Sequence, residues 1–258
     1  PTGVYFANNI AFFVSCISAL VALFLTTRIQ DVHDPVQAPT LKACITGARQ
    51  QLADRSVWLI GILATVVILV PFATRDTLTP VYAEQLGARA GILALLGNIH
   101  LLFYGLAIAL CSSVFYQRLG LVKTAVLGIV LQVISTFGIP FTSNIYVIYL
   151  WQALAGFSFG MAFAAFMSLS VVNTSSDEQS TRMGLFQTIY SCGMFVGPVM
   201  MGVMMQHINL SSGYILIAAL SVVAAIATPL SARWVYARKT QTSAQLLKNG
   251  AYAAAPDQ

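Results

Sequence analysis

The sequence predicts an all-α integral membrane protein with seven transmembrane helices, and three observations lead there. Of its 258 residues, 58% are hydrophobic and only 8% are charged, against about 25% charged in ordinary soluble domains; mean hydropathy is +0.79. The apolar residues gather into runs of about 20 or more, the length a helix needs to cross roughly 30 Å of hydrocarbon. Basic residues stand singly at the ends of those runs, with no basic stripe interleaved with aromatics. The formal charge of +5 therefore reports orientation in a lipid bilayer, and no nucleic-acid partner is expected.

In chain order the spans fall at 3–27, 57–83, 91–116, 121–141, 145–172, 183–206 and 213–236. They divide the chain into a first helix (1–28), a linker (29–56), a six-helix domain (57–236) and a tail (237–258). Asp31, Asp34, Pro35 and Pro39 interrupt any helix in the first part of the linker. Beyond them Leu41, Cys44, Ile45, Ala48 and Leu52 recur at helical spacing, with Lys42 and Arg49 off that stripe. This is a short amphipathic helix, either lying on the membrane surface or solvated as a linker. The turn at Gln117, Arg118 and Gly120 makes a tight hairpin of the third and fourth spans, and the polar, Ala-rich tail with Pro256 is expected to be disordered.

Alternating the spans places Arg28, Lys42, Arg49, Arg55, Arg118, Lys123, Arg182, Arg233, Arg238, Lys239 and Lys248 on one side, leaving only Arg89 in the opposite loops. By the positive-inside rule the richer side is cytoplasmic, so the C-terminus is cytoplasmic in a multi-pass protein of the cell membrane. The chain opens on Pro1 close to an apolar run, without a basic start or a cleavage site; it reads as the continuation of a longer polypeptide rather than a signal peptide. Cys16, Cys111 and Cys192 lie in apolar runs and Cys44 in the linker, so neither a disulfide framework nor a metal site is expected, and no cofactor is implied.

Arg75 and Asp76 are ionisable residues inside the second span. A charge near a helix centre costs about 2.5–3.5 kcal/mol on insertion scales, which directs such residues to a cavity or a partner. At about 1.5 Å per residue, Asp76 lies roughly 12 Å below the outer end of its span and His100 roughly 14 Å below the same surface in the antiparallel third span, with Gln152 at similar depth. Arg75 or Asp76, His100 and Gln152 are thus expected to converge. Because adjacent helical positions diverge by about 100°, Arg75 and Asp76 are not expected to pair with each other. The alternative is an interfacial anchor pair on a span ending near Thr74.

Tyr104, one turn beyond His100, extends a polar face, and Asn98 on the opposite side ranks below both. Asp76 and His100 are the candidate proton carriers. Trp151 with Gln152, and Gln187 with Tyr190, offer hydrogen bonds and aromatic faces to a substrate, or else ordinary packing between helices. Gly156 and Gly160 in the fifth span, and Gly193, Gly197 and Gly202 in the sixth, mark close helix approach; Pro198 weakens the helix beside Gly197 for packing or gating.

Several segments resemble one family, the major facilitator superfamily. Arg182-Met183-Gly184-Leu185, followed by Gly193-x3-Gly197-Pro198-x3-Gly202, resembles its eleventh helix, as does the preceding loop Ser175-Ser176-Asp177-Glu178-Gln179. Pro80-Val81-Tyr82 with Gln85-Leu86-Gly87 is similar to the outer end of its seventh helix. Ser113-x3-Gln117-Arg118-Leu119-Gly120-x2-Lys123 resembles its cytoplasmic G-x3-D-R-x-G-R-R motif, with Ser113 and Gln117 replacing the glycine and the aspartate. Arg118, Gly120 and Lys123 remain, which suits helix docking better than a charge relay.

The resemblance implies a C-terminal half, helices six to twelve, of a secondary transporter whose two halves rock about a midplane site. Its partners would be the lipid bilayer, a small organic or drug-like substrate, protons, and the missing N-terminal helices of the same transporter. Export is favoured over proton-coupled uptake. A seven-helix receptor shares the topology, but Asp-Arg-Tyr and Asn-Pro-x2-Tyr signatures are absent from the expected places. The motifs of intramembrane enzymes are absent too, so no enzyme is expected.

Overall fold

The computed structural model describes residues 13, 16–28, 41–172, 174, 176–207 and 209–248, with side chains at all of these except 41–44, 176–177 and 232–248. Two compact units divide the chain, Pro1–Leu41 and Lys42–Gln258. In the first, α1 (Cys16–Thr26) is a short apolar helix; the Arg28 guanidinium stands 5.0 Å from the centroid of the Phe24 ring. The rest of the expected first span, and residues 29–40 of the linker, lie outside the described residues.

The second unit begins with α2 (Leu41–Leu52). Six helices long and apolar enough to cross a membrane follow: α3 (Arg55–Gln85), α4 (Ala90–Leu119), α5 (Leu121–Phe141), α6 (Ile145–Val171), α7 (Ser176–Met204) and α8 (Leu210–Lys248). Polar caps start them where the sequence supplies one. Asp54 accepts the Ser56 N–H at 2.9 Å to open α3, and Asn144 does the same for Tyr146 to open α6. Gly87 (φ 84°) and Gly120 (φ 77°) close α3 and α4 in a conformation that side chains with a Cβ rarely adopt.

α3 is the most buried span and α4 the least. The pairs α3–α7, α4–α6 and α5–α6 pack closely, and α8 lies against α5 and α3. Their main core joins Ile60, Ala64, Val67 and Ile68 of α3 to Ile129 of α5, Phe166 of α6, Phe186 of α7 and Ala224 of α8. Small residues bring the backbones together, because apolar side chains gain little by exchanging lipid for one another and contact must come from shape. A Cβ at Gly160 would stand 2.6 Å from the Tyr104 carbonyl oxygen, and one at Gly197 2.9 Å from that of Leu69. At Gly156 and Gly193 it would overlap the carbonyl oxygens of His100 and Thr65.

Proline shapes α3 twice. Pro71 has no N–H to offer the Val67 carbonyl, and Gln132 Nε2 from α5 donates to that oxygen instead at 3.1 Å, as the absence of water in a bilayer demands. Ahead of Pro80 the ladder widens into a π turn over Thr74–Leu78, with Thr79 N–H reaching back five residues to Thr74.

The helix of the second span continues past Thr74 to Gln85 and carries Arg75 and Asp76 within it. α7 runs through Pro198 without a break. Two expectations are corrected. Gly202 meets nothing within 4 Å of an added Cβ among the described residues, because it points away from α3, so it is not a packing glycine there. Finally, the tail expected to be disordered continues α8 as helix to Lys248, through a segment without glycine or proline; residues 249–258 lie outside the described residues.

Candidate functional site

A cavity of about 310 Å³ opens between α3, α4 and α6. It is lined by Arg75, Asp76, Thr79 and Pro80 of α3, Leu93, Leu96, Gly97, Asn98 and Leu101 of α4, and Gln152 of α6. The two charged residues pair after all: Arg75 Nε and one terminal nitrogen donate to the two Asp76 carboxylate oxygens at 2.6 and 2.9 Å. The long guanidinium arm folds back along the π turn and reaches its neighbour in sequence, a geometry that Cβ directions alone do not exclude. Such a bidentate pair lowers the cost of holding both charges in the bilayer. With side chains 24% and 35% exposed, both remain accessible from the cavity.

Behind the cavity runs a buried hydrogen-bonded chain. His100 Nδ1 lies 3.2 Å from Gln152 Oε1, Gln152 Nε2 donates to Thr79 Oγ1 at 3.0 Å, and Thr79 Oγ1 is 2.9 Å from the Tyr214 hydroxyl. Because the Gln152 amide nitrogen donates to Thr79, its oxygen accepts from His100, which assigns the proton to Nδ1. His100 Nε2 is then a buried acceptor without a partner among the described residues. His100 itself is 1% exposed and does not line the cavity. The preference for His100 over Asn98 as a lining residue is therefore reversed. Close approach of α4 to α6 at Gly156 turns the His100 face inward and leaves the Asn98 face on the cavity.

Tyr104 and Tyr190 belong to an aromatic row rather than to the cavity. His100 lies beside Phe159, Phe159 stacks on both Tyr104 (5.2 Å between centroids) and Phe163 (5.5 Å), and Tyr190 meets Phe163 and Phe186 edge to face. Neither tyrosine hydroxyl has a hydrogen-bond partner among the described residues. Trp151 does not reach the cavity, because its indole N–H donates to Thr142 Oγ1 at 2.9 Å and its ring fills the space over Gly138. Gln187 is exposed on α7, away from the cavity. At the α4–α5 turn Arg118 and Lys123 are exposed, without an ion pair among the described residues.

A second polar cluster, at the other end of α3, escapes the sequence reading. Arg182 of α7, only 8% exposed, donates to the Ser170 carbonyl of α6 at 2.6 Å, to Gln51 Oε1 of α2 at 2.9 Å, to Asp54 Oδ2 at 2.8 Å and to Ser56 Oγ. One guanidinium thus ties four helical segments. Burial alone would raise the Asp54 carboxyl, but hydrogen bonds from Ser56 and Arg182, with the Arg182 charge, hold it below the ordinary carboxylate range. Arg182 and Asp54 flank different spans far apart in the chain, so only their polarity at span ends signals them. Thr79 and Tyr214 were also missed, the one hidden as a single hydroxyl before Pro80 and the other as an ordinary aromatic at the start of a span.

Against this geometry, a sequence profile of the Major Facilitator Superfamily matches residues 72–255. The chain belongs to that superfamily. Compared with curated proteins it has no match. Superfamily members are multi-pass membrane transporters rather than enzymes, so the receptor reading falls away, and the working environment is a lipid bilayer with a small-molecule substrate. The match covers the cavity residues on α3, α4 and α6 as well as Arg182 of the second cluster.

Proposed function

We propose that the chain acts as the C-terminal half of a secondary active transporter that moves a small organic or drug-like solute by alternating access, coupled to protons and favouring export. The observation that carries this reading is the convergence of Arg75, Asp76, Asn98 and Gln152 on one cavity within a superfamily transporter. Its volume, about 310 Å³, falls at the lower end of small-molecule sites. Rocking requires a second six-helix half opposite this one, which the N-terminal helices of the same transporter would provide, in the cell membrane with the C-terminus cytoplasmic.

Asp76 is the proposed coupling residue, since protonation would cancel the charge that binds Arg75 and free the guanidinium for an approaching polar group. Gln152 lines the same cavity and holds His100 behind it through its Oε1. The test is proton-driven flux in proteoliposomes holding the protein, with a panel of organic solutes and an imposed pH gradient. Asp76→Asn should still equilibrate solute but no longer concentrate it. Concentration at the unmodified rate would remove Asp76 from the coupling path, and indifference of every solute to every gradient would remove coupling itself.

A further inference from the structure

A second hollow lies on the outside of the bundle, between the first turns of α3 and the part of α8 around Leu230. It has a volume of about 700 Å³ and is bounded by Leu59, Ile62, Leu63, Ala227 and Leu230, with Arg55, Trp58 and Ser231 also on its lining. Two features give this groove a polarity. Arg55 begins α3 and is exposed, with no hydrogen-bond or ion-pair partner among the described residues. The adjacent carboxylate, Asp54, is already committed to Arg182 and Ser56. Trp58, 45% exposed, is held by its indole N–H donating to the Leu52 carbonyl at 2.9 Å. A tethered, half-exposed tryptophan beside an arginine at a span end is the signature of headgroup depth.

From Arg55 to Leu63 the groove descends eight residues of helix, about 12 Å at 1.5 Å per residue. That approaches the thickness of one hydrocarbon leaflet, roughly 15 Å. The walls are aliphatic over that depth, and a cation stands at the mouth.

We propose that this groove is a binding site for an anionic phospholipid, its phosphate held at Arg55 and an acyl chain lying along Trp58, Ile62 and Leu230. Charge complementarity selects the headgroup, because no carboxylate among the described residues pairs with Arg55. The aliphatic floor fits an acyl chain and offers a peptide backbone no hydrogen-bond partners.

Trp58 supplies the readout. The protein is reconstituted in phosphatidylcholine vesicles carrying either brominated phosphatidylglycerol or brominated phosphatidylcholine at equal mole fraction, and Trp58 emission is taken as the difference between the unmodified protein and Trp58→Phe. The anionic lipid should quench at about fivefold lower mole fraction than the zwitterionic one, the ratio expected for one basic contact at a membrane surface. Arg55→Lys should keep that preference, Arg55→Gln should abolish it, and Arg89→Gln, at the opposite end of the bundle, should leave it intact. Equal quenching by both lipids would overturn the proposal in favour of ordinary lipid contact. Absence of quenching by either would overturn it in favour of a protein segment covering the groove.

Discussion

A single methyl group at Gly156 tests whether helix approach sets the geometry of the cavity. A Cβ there would overlap the His100 carbonyl oxygen and stand 2.8 Å from its carbonyl carbon, where carbon contacts normally lie at about 3.5–4.0 Å. The obstacle is helix backbone, which has no rotamer to change, so α4 must retreat by roughly 1 Å. Overpacking costs about 1–3 kcal/mol; taking about 3 for so rigid a neighbour and returning about 1 for the helix propensity of alanine leaves a net loss of about 2 kcal/mol. At about 2–4 °C per kcal/mol for a domain of this size, Gly156→Ala should lower Tm by about 4–8 °C.

The same retreat acts on the site. Gln152 lies one helical turn from Gly156, so the 3.2 Å contact between His100 Nδ1 and Gln152 Oε1 would pass beyond hydrogen-bond reach. Gly202→Ala is the control, since it adds its methyl to open space and should leave Tm unchanged or raise it by up to about 4 °C. Thermal unfolding of the purified protein in detergent measures both. A Gly156→Ala Tm at or above that of Gly202→Ala would refute the reasoning, because helix propensity would then outweigh contact between α4 and α6.

Two further predictions concern the Arg182 cluster. Arg182→Met leaves the buried Ser170 carbonyl and Gln51 Oε1 without their donor, and should destabilise by about 1–3 kcal/mol in equilibrium unfolding, as stranding a buried acceptor does; the half-exposed Asp54 carboxylate turns to solvent and adds little. Arg182→Lys should recover only part of this, since an ammonium cannot reproduce the planar fork that reaches four acceptors on three other helical segments. Asp54, whose carboxyl is held below its ordinary value, stabilises fully above the unfolded carboxylate value of about 3.9 and loses that contribution as pH falls through its lower folded value. Asp54→Asn should therefore flatten the acid limb of a Tm-against-pH curve, and an unchanged limb would separate Asp54 from acid sensitivity.

Much of the fold is legible in the sequence because apolar run length is a local property, and lipid enforces it without reference to other helices. The expected spans 121–141 and 145–172 compare with Leu121–Phe141 and Ile145–Val171, and the turn at Gly120 has the positive φ its glycine allows. The candidate site is legible only in part. Arg75, Asp76 and Gln152 reach one cavity because depth along a span follows from counting residues. Rotation about the helix axis does not follow from counting, and it exchanges the roles of His100 and Asn98.

Sequence by itself determines that this protein lives in a bilayer, where its apolar spans lie along the chain, and at what relative depth the polar residues within them stand. Those quantities depend on hydrophobicity, caps and a constant rise per residue. Tertiary structure alone decides which side chains meet: the chain from His100 to Tyr214, and the hold of Arg182 on α2, α3 and α6. Each depends on the azimuth and separation of helices far apart in the chain. Shape complementarity at positions such as Gly156 and Gly193 sets those, because in lipid no hydrophobic periodicity points a helix toward its neighbour.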